Sequence, residues 1–497
     1  MGVGVLPVSV VAAHVYLLRA SGTTRTREPS RADGVPGQGA RLSIQKYIPG
    51  NGGKGMANAK EGFVGFCSFE TLKIGVLNPN SGGPVVNDSL VPQVLVEFYC
   101  RAFDCHQHVG VIRVTVHVKV APEVLLWAAE RAGWDERKIE QHAPKFHNWV
   151  SGVSDPTLKQ IEDFSRATYT PLPTFFLPEP PAEDLPIPDM RTLGNKAIVK
   201  PSANLLDVIY LCQARQDWYR EYAEELGIEA VAFIGSATID TRPENVARDI
   251  RRLIDFDLEE RRKFGTWTKA LRALIDQIED TGVLVMVSGI VGSNTHRKLN
   301  PEEFRGFALS DSRAPLVFVN GADTKAAQIF TLIHEFAHLW LGHSALSDAL
   351  MSHQSSNTEE IWCNQVAAEV LLPLSDLRRE YSGTPETKEL ERLARQFKVS
   401  TLVVLKRIYD AQLLSWDEYQ KHYEVEHHRV VHLAKEQRSH SGGDYYKTQP
   451  LRLSRQFARA VVESTFAGST SFRDAYALLG TKKHSTFENL AETLGAS

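Results

Sequence analysis

Residue patterning predicts an α+β protein, mostly α, in which helical regions flank a domain built round a small sheet. Two observations carry that expectation. From residue 121 onward, apolar side chains recur at helical spacing between recognisable caps. Short runs at 283–287 and 315–319 are instead continuously apolar between Gly, Asp and Asn, as buried strands are. Composition agrees: 497 residues, 43% hydrophobic and 23% charged, allow about three globular domains. A net charge of −4 excludes a global pull toward nucleic acid or membrane. Five widely spaced cysteines do not form a disulfide framework and suit a reducing cytoplasm. The chain has no apolar run of about 18 residues to span a bilayer.

The elements follow in chain order. Residues 3–18 are mildly apolar but lack a basic start and contain Pro7 and His14, unlike a secretory signal. Residues 1–60 hold eight basic and two acidic side chains amid Gly, Ser and Thr, which reads as a disordered basic leader. Cys100, Cys105, His106 and His108 are too crowded, with no second knuckle, to read as a zinc site. The stretch 1–119 is therefore read as a leader of doubtful authenticity, a start assigned too far upstream being one explanation. Pro122 then opens a helix stopped by Gly133, and Asp135 caps a second through Gln141. A turn at 149–152 and a helix at 156–164 follow. Six basic and eight acidic residues over 121–177 are the wrong balance for neutralising phosphates, which favours a docking module over a DNA reader. The Pro-rich stretch 171–188 marks a boundary. Amphipathic helices are expected over 205–226 and 243–280, their Arg/Glu faces solvated.

The chemistry concentrates at His334-Glu335-Phe336-Ala337-His338, inside an apolar, helix-favouring run capped by Asp323 or Thr324 and stopped by Gly342. Residues four apart share a helix face, so both imidazoles can reach one zinc ion, with Glu335 beside it to take a proton from water. A third ligand is needed. In the next helical segment, 358–372, Glu360, Asn364, Ala367 and Leu371 share one face at about 100° per residue. That selects Glu360 as third ligand and Asn364 as its partner, against the plainer reading of Glu360 as a solvated first-turn carboxylate. Cys363 points away and is read as packed. His343 lines the cleft or lies on the surface, and His296 is a transition-state donor or a structural loop histidine. Leu316, Val317, Phe318, Val319 and Asn320 are expected to form the sheet edge that pairs with an extended substrate backbone.

The stretch H-E-F-A-H-L-W-L-G-H-S, the acidic pair and C-N-Q-V-A-A-E-V-L-L-P resemble the ImmA/IrrE metallopeptidases of bacteria and mobile elements. The resemblance covers roughly 121–497, with 280–285, 291–297 and 314–320 as short strands before the motif helix. It implies a zincin-type fold similar to thermolysin-type zinc peptidases, Zn2+ on His334, His338 and Glu360, and Glu335 as general base. It also implies a helix-turn-helix repressor as the cleaved partner. The helices at 121–164, with their tryptophan–glycine turn and P-T-L-x-Q segment, are similar to Xre-type repressors. The likeness is degenerate, because only 143–148 separate the second helix from Trp149. A second helix-turn-helix-like unit, with Ser400 as N-cap, resembles the one following the peptidase in this family. Its six charges of each sign between 386 and 419 favour packing on the peptidase over DNA reading.

The expected domains are thus a leader (1–119), a degenerate helix-turn-helix (120–180), an ImmA/IrrE-like metallopeptidase (181–375), a helix-turn-helix-like unit (376–424) and a helical tail with a turn near Gly442 (425–497). The expected function is a cytoplasmic zinc metallo-endopeptidase acting on an Xre-type repressor, with DNA weakly supported and no membrane partner. The alternative is a DNA-binding regulator or antitoxin-like protein whose peptidase fold senses rather than cleaves.

Overall fold

Local capping sets most helix limits. The computed structural model describes residues 94–97, 115–190, 201–347, 357–437 and 451–495, all within one unit spanning 88–497. Most of the expected leader, the Cys100–His108 cluster and the turn near Gly442 lie outside the described residues. Two short strands fall within the leader's range, β1 (Val94–Glu97) and β2 (Thr115–Val118), and they pair antiparallel.

Four helices follow: α1 (Pro122–Arg131), α2 (Glu136–His142), α3 (Phe146–Val150) and α4 (Leu158–Thr168). The Asp135 side chain accepts the Lys138 N–H, and Thr157 and Gln160 form a reciprocal capping box. Phe146, Trp149, Phe164 and Phe175 fill a core of their own. At five residues, α3 is barely one turn. Arg131 ties this group to the rest, reaching Glu183 at 2.7 Å and Asp207 at 3.0 Å, while Asp207 also meets Arg297 at 2.7 Å.

Next come α5 (Ala203–Glu225), α6 (Pro243–Leu253), α7 (Leu258–Lys263) and α8 (Trp267–Glu279). The helix expected over 243–280 is therefore three. Asp255 adopts φ +48°, and the Asp257 and Thr266 side chains each cap a new start, so local hydrogen bonds outcompete a continuous helix.

The sheet holds β3 (Leu284–Ser288), β4 (Gly306–Leu309), β5 (Leu316–Asn320) and β6 (Ala345–Ser347), in the order β3-β5-β4-β6. β5 runs parallel to β3 and antiparallel to β4, and β4 runs antiparallel to β6. Residues 291–297, expected as a strand, form a loop in which the Val291 N–H donates to the Arg297 carbonyl at 2.9 Å. Side-chain alternation gives the sheet two buried faces. Val285, Val287, Ala308, Val317 and Val319 enter one hydrophobic cluster. Leu284, Met286, Phe307, Leu316, Phe318 and Leu346 enter another, where Phe307 and Phe318 stack at 4.8 Å.

On the first face lie α6, α8, α9 (Lys325–Leu341), α10 (Thr358–Leu371), α11 (Leu374–Glu380), α12 (Thr387–Phe397) and α13 (Thr401–Asp410), joined by the start of α14 (Trp416–Gln437). On the second lie α5, α15 (Arg455–Phe466), α16 (Phe472–Leu479) and α17 (His484–Leu494). The expected α+β architecture, mostly helical round a small sheet, is what the described residues adopt. Among the described residues, no helix is long and apolar enough to cross a membrane.

Glu279, the last residue of α8, fastens α15 to the sheet. Its carboxylate accepts the Ser454 hydroxyl and, at 3.1 Å, the Arg455 N–H. Burial pushes its pKa from 4.5 up to about 7 against those hydrogen bonds. The folded state therefore holds this proton more tightly than the unfolded chain does. The associated stability is complete below pH 4.5 and is lost as pH rises through about 7. Glu279→Gln should match the wild type in urea unfolding at pH 4 and exceed it above pH 7, by on the order of 3 kcal/mol. A gap that fails to widen with pH refutes the assignment.

Candidate metal centre

Two helices crossing on one face of the sheet build the site. Helix α9 begins where Thr324 Oγ1 accepts the Ala327 N–H and ends at Gly342, whose φ of +75° closes the last turn. The segment before α6 wraps that end, with Gly235 and Ala237 N–H groups donating to the carbonyls of Leu339 and Trp340. A Cβ on Gly342 would lie 2.9 Å from Gly235 Cα, so the crossing requires glycine. Helix α10 begins at Asn357, whose side chain accepts the Glu359 N–H and sets Glu360 in the first turn. Its small Ala367 and Ala368 share a hydrophobic cluster with Ala337 of α9, which lets the backbones approach.

The approach brings three donor groups together. His334 Nε2 stands 3.2 Å from His338 Nε2 and 3.2 Å from Glu360 Oε2, and His338 Nε2 stands 3.1 Å from Glu360 Oε1. Donors sharing a tetrahedral zinc at about 2.0–2.1 Å would be roughly 3.4 Å apart. Both histidines are wholly buried and Glu360 is nearly so. Burial opposes the charge on Glu360, but His334 and His338 outweigh it and hold the carboxyl at about 2. Burial lowers His338, favouring the neutral imidazole that binds metal. Among the described residues, Nδ1 of both histidines lacks a hydrogen-bond partner. Two buried imidazoles and an ionised carboxylate, aimed at one point, fit a divalent cation, and Glu360 offsets half of its charge.

Glu335 lies beside this cluster without joining it. Burial, then the negative charge of Glu360, pushes its carboxyl well above the usual range, against a hydrogen bond from Ser347. Its Oε1 lacks a partner among the described residues, and Ser347 Oγ donates to its Oε2 at 3.4 Å. Gly306 of β4 makes the space. A Cβ there would sit 2.8 Å from Glu335 Oε1 and 2.6 Å from Thr331 Cγ2. Gly306 and Ser347 were both missed by sequence reasoning. A glycine within a short apolar run was the available signal for the first. Ser347 carries no signal.

The other anticipated residues scatter. Asn364 lies one turn beyond Glu360 and is half-buried. Exposed His343 contacts Glu359 at 3.0 Å, so this second carboxylate turns outward from the cluster. His296 is exposed in the loop after β3, its N–H donating to Asn294 Oδ1, and is not brought to the cluster. Cys363 is buried, and burial pushes its thiol well up, which suits packing rather than ligation. The expectation that Leu316, Val317, Phe318, Val319 and Asn320 form a substrate edge is corrected. β5 is an interior strand, paired on both sides and buried throughout, with no free ladder for a peptide.

Residues 278–409, which contain the whole cluster, match a peptidase family model described as the IrrE N-terminal-like domain. For that segment the resemblance to the ImmA/IrrE family holds; the match does not extend to 120–180. Residues 453–493 match a domain of unknown function. No curated protein matches the chain.

Gly306→Ala should force Glu335 and Thr331 aside and cost about 1–3 kcal/mol. The expected result is a lower urea midpoint with zinc content unchanged, because the three donors lie on other elements; an unchanged midpoint shows that the gap is not needed.

Proposed function

We propose that this protein is a zinc-dependent endopeptidase whose metal is held by His334, His338 and Glu360. The observation that carries the reading is the buried donor triad with Glu335 beside it, inside the segment matching a peptidase family. Zinc bound there would supply Lewis acidity, polarising the scissile carbonyl and acidifying water. The remaining work falls to the chain. Glu335, next in sequence to the first ligand, accepts the proton of the attacking water and passes it to the leaving amine. Its buried position removes competing solvent, and Gly306 lets its carboxylate lie against β4. Glu360 offsets the cation's charge and keeps the centre tolerable inside the core.

The substrate we propose is a helix-turn-helix repressor, as the family resemblance implies. The N-terminal helices α1 to α4 are proposed as the docking module, supported by the local charge of −2 over 121–177, unsuited to phosphate.

Wild type is expected to hold about one zinc per chain, and His338→Ala and Glu360→Ala to lose it. Glu335→Gln should retain zinc while repressor cleavage falls by about 10²–10⁴-fold. Zinc retained in Glu360→Ala would exclude that residue as the third ligand. Undiminished cleavage by Glu335→Gln would overturn the general-base role.

A further inference from the structure

The candidate centre is closed by its own chain. His334, Glu335, His338 and Ser347 each have no exposed surface. A scissile carbonyl must come within about 3–3.5 Å of its nucleophile, so no peptide reacts until some element moves. β6 is the element placed to move. It is three residues long and ends at Ser347, whose Oγ stands 3.2 Å from His338 Nε2. That spacing equals the one between the two histidine nitrogens. The same Oγ donates to Glu335 Oε2 at 3.4 Å, against the proposed general base.

The outer edge of β6 is also taken. The Leu346 N–H donates to the Pro188 carbonyl at 2.9 Å, and the Met190 N–H donates to the Leu346 carbonyl at 2.9 Å. Asp189 thus lies opposite Leu346 in a parallel bridge. The strand edge beside the centre, where an extended peptide would add, is filled by the Pro-rich connection itself. Ile187 anchors this strap, buried in the cluster on the second sheet face. The strap's hold is limited, because Pro186 and Pro188 have no N–H to donate. Glu183 of the same connection is ion-paired with Arg131 of α1, which links the strap to the N-terminal helices.

We propose that Ser347 fills the fourth position of the metal centre and that residues 188–190 latch it there, making this a self-occluded resting form. The inference rests on the metal-centre reading above. Release of the strap frees the outer edge of β6, lets Ser347 withdraw, and opens both the fourth position and a strand edge for substrate.

The test uses the full chain loaded with Co2+, with acetohydroxamate as a small metal-directed probe. Ser347→Ala and Met190→Pro, the latter lacking the N–H given to Leu346, should each bind the probe at least ~10-fold more tightly than wild type. Met190→Pro should in addition speed hydrogen exchange in the peptide carrying Leu346. Ser347→Cys should show a sulfur-to-cobalt charge-transfer band, which a side chain out of bonding reach cannot give. Absence of that band, or probe affinity in Ser347→Ala equal to wild type, overturns the fourth-position role. Faster exchange at Leu346 with unchanged probe affinity overturns the latch. A wild type that binds cobalt and takes the probe as readily as the variants leaves the metal reading standing and removes this proposal alone. A wild type that binds no cobalt removes both.

Discussion

Four ionisable side chains, His334, Glu335, His338 and Glu360, are buried together, and the surrounding architecture follows from that constraint. A buried charge left unpaired costs several kcal/mol, so each must find a counter-group or be neutral. Glu360 meets the requirement through both imidazoles, and burial keeps His338 toward its neutral form. Such an arrangement survives only if neither helix can drift. Accordingly α9 is buried continuously over 328–341, the strands lying on one side and α10 on another. Its end is clasped through the Gly235–Gly342 approach, where neither backbone has a side chain to hold it off.

The two sheet faces divide the labour. One receives α9 and with it the cluster of metal-binding side chains; its side chains are small or β-branched, and Gly306 is reduced to nothing where Glu335 must fit. The other carries the bulky residues, with Phe304, Phe307 and Phe318 in mutual contact. That second face would be bare if 278–409 stood alone. It is covered by α5 from upstream and by α15 to α17 from downstream, and the Glu279–Ser454 contact pins the latter in place. The flanking segments are thus structural parts of the peptidase-like core. The same holds for α12 and α13, whose Leu390, Phe397 and Val404 share a cluster with α9 and α10.

Much of this was readable from local pattern. The four-residue spacing of His334 and His338, the Thr324 cap, the Gly342 stop and the 283–287 and 315–319 runs all depend on neighbours in sequence. So does the face shared by Glu360, Asn364 and Ala367. Illegible features came in two kinds. The four residues of β4 and the three of β6 are too short for any period to register. The broken helix over 243–280 looked continuous because its apolar stripe persists through the Asp257 and Thr266 caps.

The sequence by itself determined which residue types could form a metal centre and which helices would present them, because helix geometry is set within one turn. Tertiary structure alone decided the rest. It placed β5 inside the sheet, turned Glu359 outward toward His343, and set Ser347 against His338 and Glu335. It also laid residues 188–190 along β6, more than 150 positions away in the chain. The physical reason is common to all four. Pairings between distant segments are chosen by how buried surfaces and backbone donors can be satisfied together, and that choice leaves no periodic trace in either segment.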